Sequence, residues 1–202
     1  MSRRRAVVAL LGVVLCGSAF AGDLRVSVVD AAGHPLKDAV IYLQGGAPMA
    51  APAPAPAVID QVHKQFVPQV SVIQVGSAVS FPNNDQIRHS VYSFSEAKPF
   101  TLKLYAGKPP GPVVFDKPGV VVLGCNIHDQ MAAWVVVVDT PYFGKTDANG
   151  DLSVQGVKPG TYELVAWYPM MEQGPTLQPV TLQSAEVQRR IQLPVTPLAG
   201  GG

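Results

Sequence analysis

Cysteine is nearly absent from this chain. Its 202 residues hold two, Cys16 and Cys125. Cys16 falls in a leader that export would remove, so no internal disulfide can staple the mature fold. Charge is also sparse: Asp, Glu, Lys and Arg make up 14% of the residues. Removing Arg3, Arg4 and Arg5 with the leader, which holds no acid, takes the formal net charge from +1 to −2, and that balance gives nucleic acid nothing to bind. No segment sustains a helical period, and the apolar run at residues 6–15 is too short to span a bilayer.

What the chain has instead points to export and to strands. The basic Arg3-Arg4-Arg5, the apolar run and the small-x-small site Ala19-Phe20-Ala21 read as a secretory signal peptide over residues 1–21. Leu15 immediately before Cys16 argues against a lipid anchor on that cysteine. The mature protein is expected in the periplasm, with no membrane attachment after cleavage. With 19 Gly and 19 Pro, the rest of the sequence favours short strands joined by turns, an all-β protein.

The chemistry collects at Cys125-Asn126-Ile127-His128-Asp129-Gln130-Met131. A thiolate, an imidazole and a thioether in one short loop suit copper better than calcium, magnesium or structural zinc. A lone mature thiol in an oxidising compartment is a liability unless it is buried, paired to another chain or bound to metal, and the nearness of His128 and Met131 favours metal. His89 is the candidate fourth ligand, because a strand starting there can lie beside the strand that leads into Cys125. Two His, one Cys and a weak axial Met are the ligand set of an electron-transfer copper centre. His63 matches no part of this pattern and reads as a surface residue. His34 reads as a solvated turn residue, and Met170 and Met171 as loop or packing residues. Asp147, Asn149 and Asp151 alternate like the start of a calcium loop, but no Glu follows at the final position, which leaves a polar turn.

Residues 58–139 resemble the cupredoxins, the small blue-copper proteins. The resemblance runs in order through Phe66-Val67-Pro68, Val75-Gly76-Ser77-Ala78-Val79, Asn83-Asn84-Asp85, His89-Ser90-Val91, the run from Phe115 to Gly119, and the ligand loop. The Cys-x₂-His-x₂-Met spacing resembles the short loop of the amicyanins more than the longer plastocyanin or azurin loops. The resemblance implies a Greek-key sandwich holding one mononuclear type 1 copper through His89, Cys125, His128 and Met131. It implies that the Ser90 amide donates to the Cys125 sulfur. It also implies that His128 reaches the surface through a weakly polar rim of Ile127, Met131 and Ala132, where a partner docks. Asn83, Asn84 and Asp85 either brace the ligand loop or form a polar turn at a strand end.

The flanks resemble a second family, the transthyretin-like or carboxypeptidase-regulatory-like β-sandwiches. The turn Asp30-Ala31-Ala32-Gly33-His34-Pro35-Leu36 with the strand after it, the Thr146-Asp147-Ala148-Asn149-Gly150 turn, and the Pro159-Gly160-Thr161-Tyr162 strand entry carry this resemblance. It implies one discontinuous sandwich from residues 22–44 and 140–195, with the cupredoxin sandwich inserted into it or packed with it. Residues 45–57 then form an extended Ala/Pro linker, and residues 196–202 a disordered tail. Within the copper unit, Phe100, Leu102 and Leu104 alternate with Thr101, Lys103 and Tyr105, which predicts a strand with the first three on one face. Residues 120–123 are expected to deliver Cys125, and the continuous apolar run at 134–138 to carry the chain away as a buried strand.

Three function classes follow. The preferred one is a periplasmic one-electron carrier whose partner is a redox protein, such as a c-type cytochrome or a quinoprotein dehydrogenase. The others are a copper delivery or storage protein and a metal-free structural or carbohydrate-binding accessory module. Four protein ligands leave no open coordination position, and no nucleophile-base set is visible, so the expectation is that the chain is not an enzyme.

Overall fold

The computed structural model describes residues 21–46, 53–109, 111–183 and 185–197. The expected signal peptide, apart from its last residue, therefore lies outside the described residues, as do residues 47–52 of the Ala/Pro linker and residues 198–202 of the tail. The described chain is all-β, with no helix among the described residues. No helix there is long and apolar enough to cross a membrane.

The chain opens with β1 (Gly22–Val29) and β2 (Val40–Gly45). Leu24, Val26 and Val28 of β1 are buried while Arg25 between them is exposed, the period of two that presents one face to a core. Seven short strands follow: β3 (Ala57–Val58), β4 (Asp60–Val62), β5 (Gln65–Val67), β6 (Val70–Gln74), β7 (Ser77–Ser80), β8 (His89–Ser93) and β9 (Phe100–Tyr105). Then come β10 (Val113–Phe115), β11 (Gly119–Cys125) and the long β12 (His128–Val138). The chain closes with β13 (Phe143–Lys145), β14 (Asp151–Val157), β15 (Gly160–Trp167), β16 (Thr176–Leu182) and β17 (Val187–Gln192).

The first two strands pair with the last five. β1 lies between β14 and β17, and β2 between β13 and β15, with β16 beyond β15. Leu24, Val26, Ile41, Leu43, Leu164 and Leu182 fill the space between these two sheets; each such side chain contributes about 1.5–3 kcal/mol by leaving water. Thr146 fastens the early turn to the later strands. Its hydroxyl donates to the Leu36 carbonyl at 2.6 Å and accepts from the Ala39 amide at 2.9 Å, and the residue is buried.

The intervening strands form a five-stranded sheet, β6-β12-β11-β8-β9, a three-stranded sheet, β10-β7-β3, and the β4-β5 hairpin. Phe66, Phe81, Val91, Phe115, Leu123 and Val135 make their core. The run at 134–138 is apolar on both sides because β12 is covered on both sides. Val135 and Val137 face that core, while Val136 and Val138 pack with Val70, Val40 and Trp167. The last two belong to β2 and β15, so this third cluster joins the two sets of sheets. Lys145 adds a polar link there, bonding the Val70 carbonyl at 2.7 Å and Asp38 at 2.6 Å.

One strand departs from its sequence period. Phe100 and Leu102 are half-buried as expected, but Leu104 is 49% exposed and Tyr105 turns inward. The register against β8 slips between His89, which faces Tyr105, and Val91, which faces Leu102. A slip of this kind reverses the facing of every residue beyond it. The inward Tyr105 hydroxyl donates to the Phe81 carbonyl and accepts from Gln61 Nε2. Burial pushes its phenol up to about 12.

Candidate metal centre

Three strand ends build the site. His89 opens β8, Cys125 closes β11 and His128 opens β12. The expected seven-residue ligand loop is corrected here: only Asn126 and Ile127 form the turn, and His128 to Met131 already belong to β12. The two strands of this hairpin are out of step at the site, with Gly124 facing Ala132 but Cys125 facing His128. Residues 129–131 are thus extra on the β12 side, and the bulge returns Met131 to the core cluster that contains Cys125. Gly124 leaves room for a neighbour: a Cβ on it would lie 2.6 Å from the Tyr92 ring.

His89 Nδ1 is 3.8 Å from Cys125 Sγ and His128 Nδ1 is 3.9 Å from the same sulfur. The three donor atoms lie within 4.8 Å of one another. Their spacing can be tested against coordination geometry. Metal–nitrogen and metal–sulfur bonds of about 2.05 and 2.3 Å, the zinc values, put N and S about 3.6–3.8 Å apart for tetrahedral to trigonal angles. The observed spacings leave room for one ion between the three atoms. A His₂Cys set is the donor chemistry of electron-transfer copper, so the residues fit a copper site. The two imidazole rings stand 5.0 Å apart, tilted by 59°.

His89 and Cys125 are buried and His128 is half-buried. Burial alone would push the Cys125 thiol up. The backbone amides of Ile127 and Ser90 lead the groups that outweigh it and bring the thiol down to about 6. The sulfur therefore offers thiolate, the form that binds metal, at neutral pH. Ser90 contributes twice, because its hydroxyl also lies 3.7 Å from the sulfur while accepting from the Asn126 amide at 2.9 Å.

The three polar residues before His89 have different jobs. Asp85 Oδ2 accepts from His89 Nε2 at 3.0 Å and from the Lys64 amide at 2.7 Å. Those two bonds, His89 first, hold its carboxyl down at about 2. Asn83 is buried and clamps the backbone, donating to the Ile87 carbonyl at 2.9 Å and the Tyr105 carbonyl at 2.8 Å, and accepting from the Asp85 amide at 3.0 Å. Asn84 is exposed, and its side chain donates to Asp60 at 2.7 Å. The amides of Ile127 and Lys64 escaped the sequence reading because a backbone N–H carries no residue signature. Gly124, directly before the cysteine, was the one available sign of the Tyr92 ring.

Around the site, Ile127 is 49% exposed and Ala132 half-buried. Met131 does not join them on the rim: it is 2% exposed, because the bulge turns it inward. His128 also lines a cleft of about 930 Å³ whose walls include Lys37, Asp38, His63, Lys64 and Tyr168. His63 is exposed, and the cluster of metal-binding groups found among the described residues does not include it. His34 is exposed and bonded to Asp30. Asp147 caps its own turn, accepting from the amides of Asn149 and Asp151.

No family model matches the chain, and no curated protein matches it. Solved structures similar to part of it include a copper-containing nitrite reductase from Thermus scotoductus, at 25% identity and a TM-score of 0.40. That match covers 56% of this chain but only 28% of the reductase. A purple cupredoxin from Nitrosopumilus maritimus matches at 23% identity and a TM-score of 0.33, over 41% of this chain and 99% of its own. An oxidised amicyanin variant matches at 19% identity and a TM-score of 0.38, over 50% and 99%. The expectation of a non-enzyme is corrected by the first of these, which is an enzyme.

Proposed function

We propose that the chain binds one copper ion through His89, Cys125 and His128, with Met131 as a weak axial ligand, and serves as a one-electron carrier in the periplasm. The observation that carries this reading is the convergence of two imidazole nitrogens and one thiol sulfur from three strand ends, within 4.8 Å of one another. The copper would supply a metal that exchanges a single electron between its two oxidation states. The protein's part is to keep that exchange from requiring movement. His89 and Cys125 are locked in a dry core, and Ser90 and the Ile127 amide steady the thiolate. Two interlocked bodies, residues 22–44 with 140–195 and residues 58–139, would supply the rigid frame; the pairing of β1 and β2 with the last five strands supports this division.

Half-buried His128 is the exit for the electron, flanked by Ile127 and Ala132 as a small docking patch. A patch of this size suits the brief, low-area encounters of redox proteins, and the partner is a c-type cytochrome or a quinoprotein dehydrogenase. The test is the visible spectrum and voltammetry of copper-loaded protein. An intense thiolate-to-copper band with a reversible one-electron wave is the expected result. A band without reversible current points to delivery or storage, and no copper uptake refutes the reading. Ile127→Lys should slow transfer to the partner several-fold with the spectrum unmoved; an unchanged rate places docking elsewhere.

A further inference from the structure

We propose that Asp85 is a positioning residue that fixes His89 as an Nδ1 metal donor and, through the same oxygen, ties that ligand to the His63-Lys64 turn. The inference rests on the copper reading above. His89 is fully buried, so no water can satisfy its ring nitrogens. A carboxylate only accepts hydrogen bonds, so Asp85 Oδ2, 3.0 Å from Nε2, keeps the ring hydrogen there. The lone pair is then left on Nδ1, the atom that faces Cys125 Sγ. With no acceptor at Nε2, the buried ring can adopt either tautomer, and the one with hydrogen on Nδ1 cannot ligate.

The carboxylate is held by three bonds, that from His89 and two more, and the backbone of Asp85 by a fourth. Oδ2 also takes the Lys64 amide, Oδ1 takes the Gln86 amide at 3.0 Å, and the amide of Asp85 itself donates to Asn83 Oδ1. The Lys64 bond reaches the β4-β5 hairpin, whose turn residues His63 and Lys64 both have left-handed φ, 52° and 59°. That conformation is costly for residues with a Cβ, and the Asp85 oxygen is the acceptor that holds the second of them. His63 and Lys64 line the same cleft as His128. One carboxylate thus joins a copper ligand to the wall of the cleft.

The test is made first on metal-free protein near pH 8, by ¹⁵N NMR of the His89 ring and the Lys64 amide. Wild type should carry the ring hydrogen on Nε2. Asp85→Ala should mix the tautomers and shift the Lys64 amide, and Asp85→Asn, which keeps an oxygen acceptor, should restore Nε2–H. Asn84→Ala, which removes a neighbouring exposed bond, should change neither. Copper affinity should then fall about 10- to 100-fold in Asp85→Ala, the usual cost of losing such a partner. Hydrogen on Nδ1 in wild type overturns the proposal even if the alanine variant does not fold. A folded Asp85→Ala with unchanged tautomer and Lys64 shift also overturns it. Wild type that never takes up copper sinks the functional reading instead, whatever the tautomer shows.

Discussion

Replacing Ser90 by alanine removes one atom from beside the Cys125 sulfur and, on the copper reading proposed above, should lower the reduction potential. The Ser90 hydroxyl lies 3.7 Å from Cys125 Sγ, in a residue that is buried. A well-formed hydrogen bond to a charged group contributes about 1.5–3 kcal/mol. At this sulfur distance about 1 kcal/mol is the reasonable ceiling. The sulfur is most negative when the metal is reduced, so the bond favours the reduced state and its loss favours the oxidised one. A differential of about 0.5–1 kcal/mol converts to about 20–40 mV for a one-electron couple, at 59 mV for each tenfold change in the equilibrium. Voltammetry of copper-loaded wild type and Ser90→Ala at one pH reads this directly, and the charge-transfer band should move to longer wavelength in step. The variant also loses the acceptor for the Asn126 amide, so a melting curve must first establish that it is folded. A folded variant whose potential rises, or stays within about 5 mV of wild type, would show that the hydroxyl does not tune the sulfur.

Cys125→Ser should abolish the intense visible band of copper-loaded protein while His63→Ala leaves it intact; loss of colour in the second variant would mean that the wrong histidine has been assigned. Thr146→Val strands a buried amide and a buried carbonyl at about 1–3 kcal/mol each, so the melting temperature should drop by about 4–24 °C for a chain of this size. The copper band should survive that substitution, and an unchanged melting temperature would mean that the early turn is not fastened by Thr146. Gly124→Ala drives a Cβ to 2.6 Å from the Tyr92 ring and should cost about 1–3 kcal/mol as overpacking. Adding Tyr92→Ala to it should recover part of that loss in denaturant titrations, and strict additivity of the two changes would contradict the contact.

The places where the sequence pattern held and where it failed differ in a physical way. Leu24, Val26 and Val28 alternate, and β1 buries all three; the unbroken run at 134–138 reads as a strand covered on both faces, and Val135 to Val138 divide between two clusters. A period of two is visible because it repeats. The candidate metal ligands were visible for another reason, since Cys, His and Met at short spacing are chemically conspicuous whatever the backbone does between them. What could not be read was register. Nothing in Asn126-Ile127 announces a two-residue turn, for neither is glycine, and nothing in residues 129–131 marks them as extra against β11. Leu104 leaves the face of Phe100 and Leu102 for the same reason, a slip against β8 that leaves no trace in the alternation of β9. Both slips fall on the strands that carry the ligands, one between Gly124 and Cys125 and the other between His89 and Val91. A regular ladder would set successive side chains on opposite faces and spread these donors apart. The break after Gly124 sets Cys125 opposite His128, and bulges are common beside functional sites. The site is thus built from the same irregularities that the period of two cannot express, and reading its residues without reading its register is what the chemistry of the sequence allows.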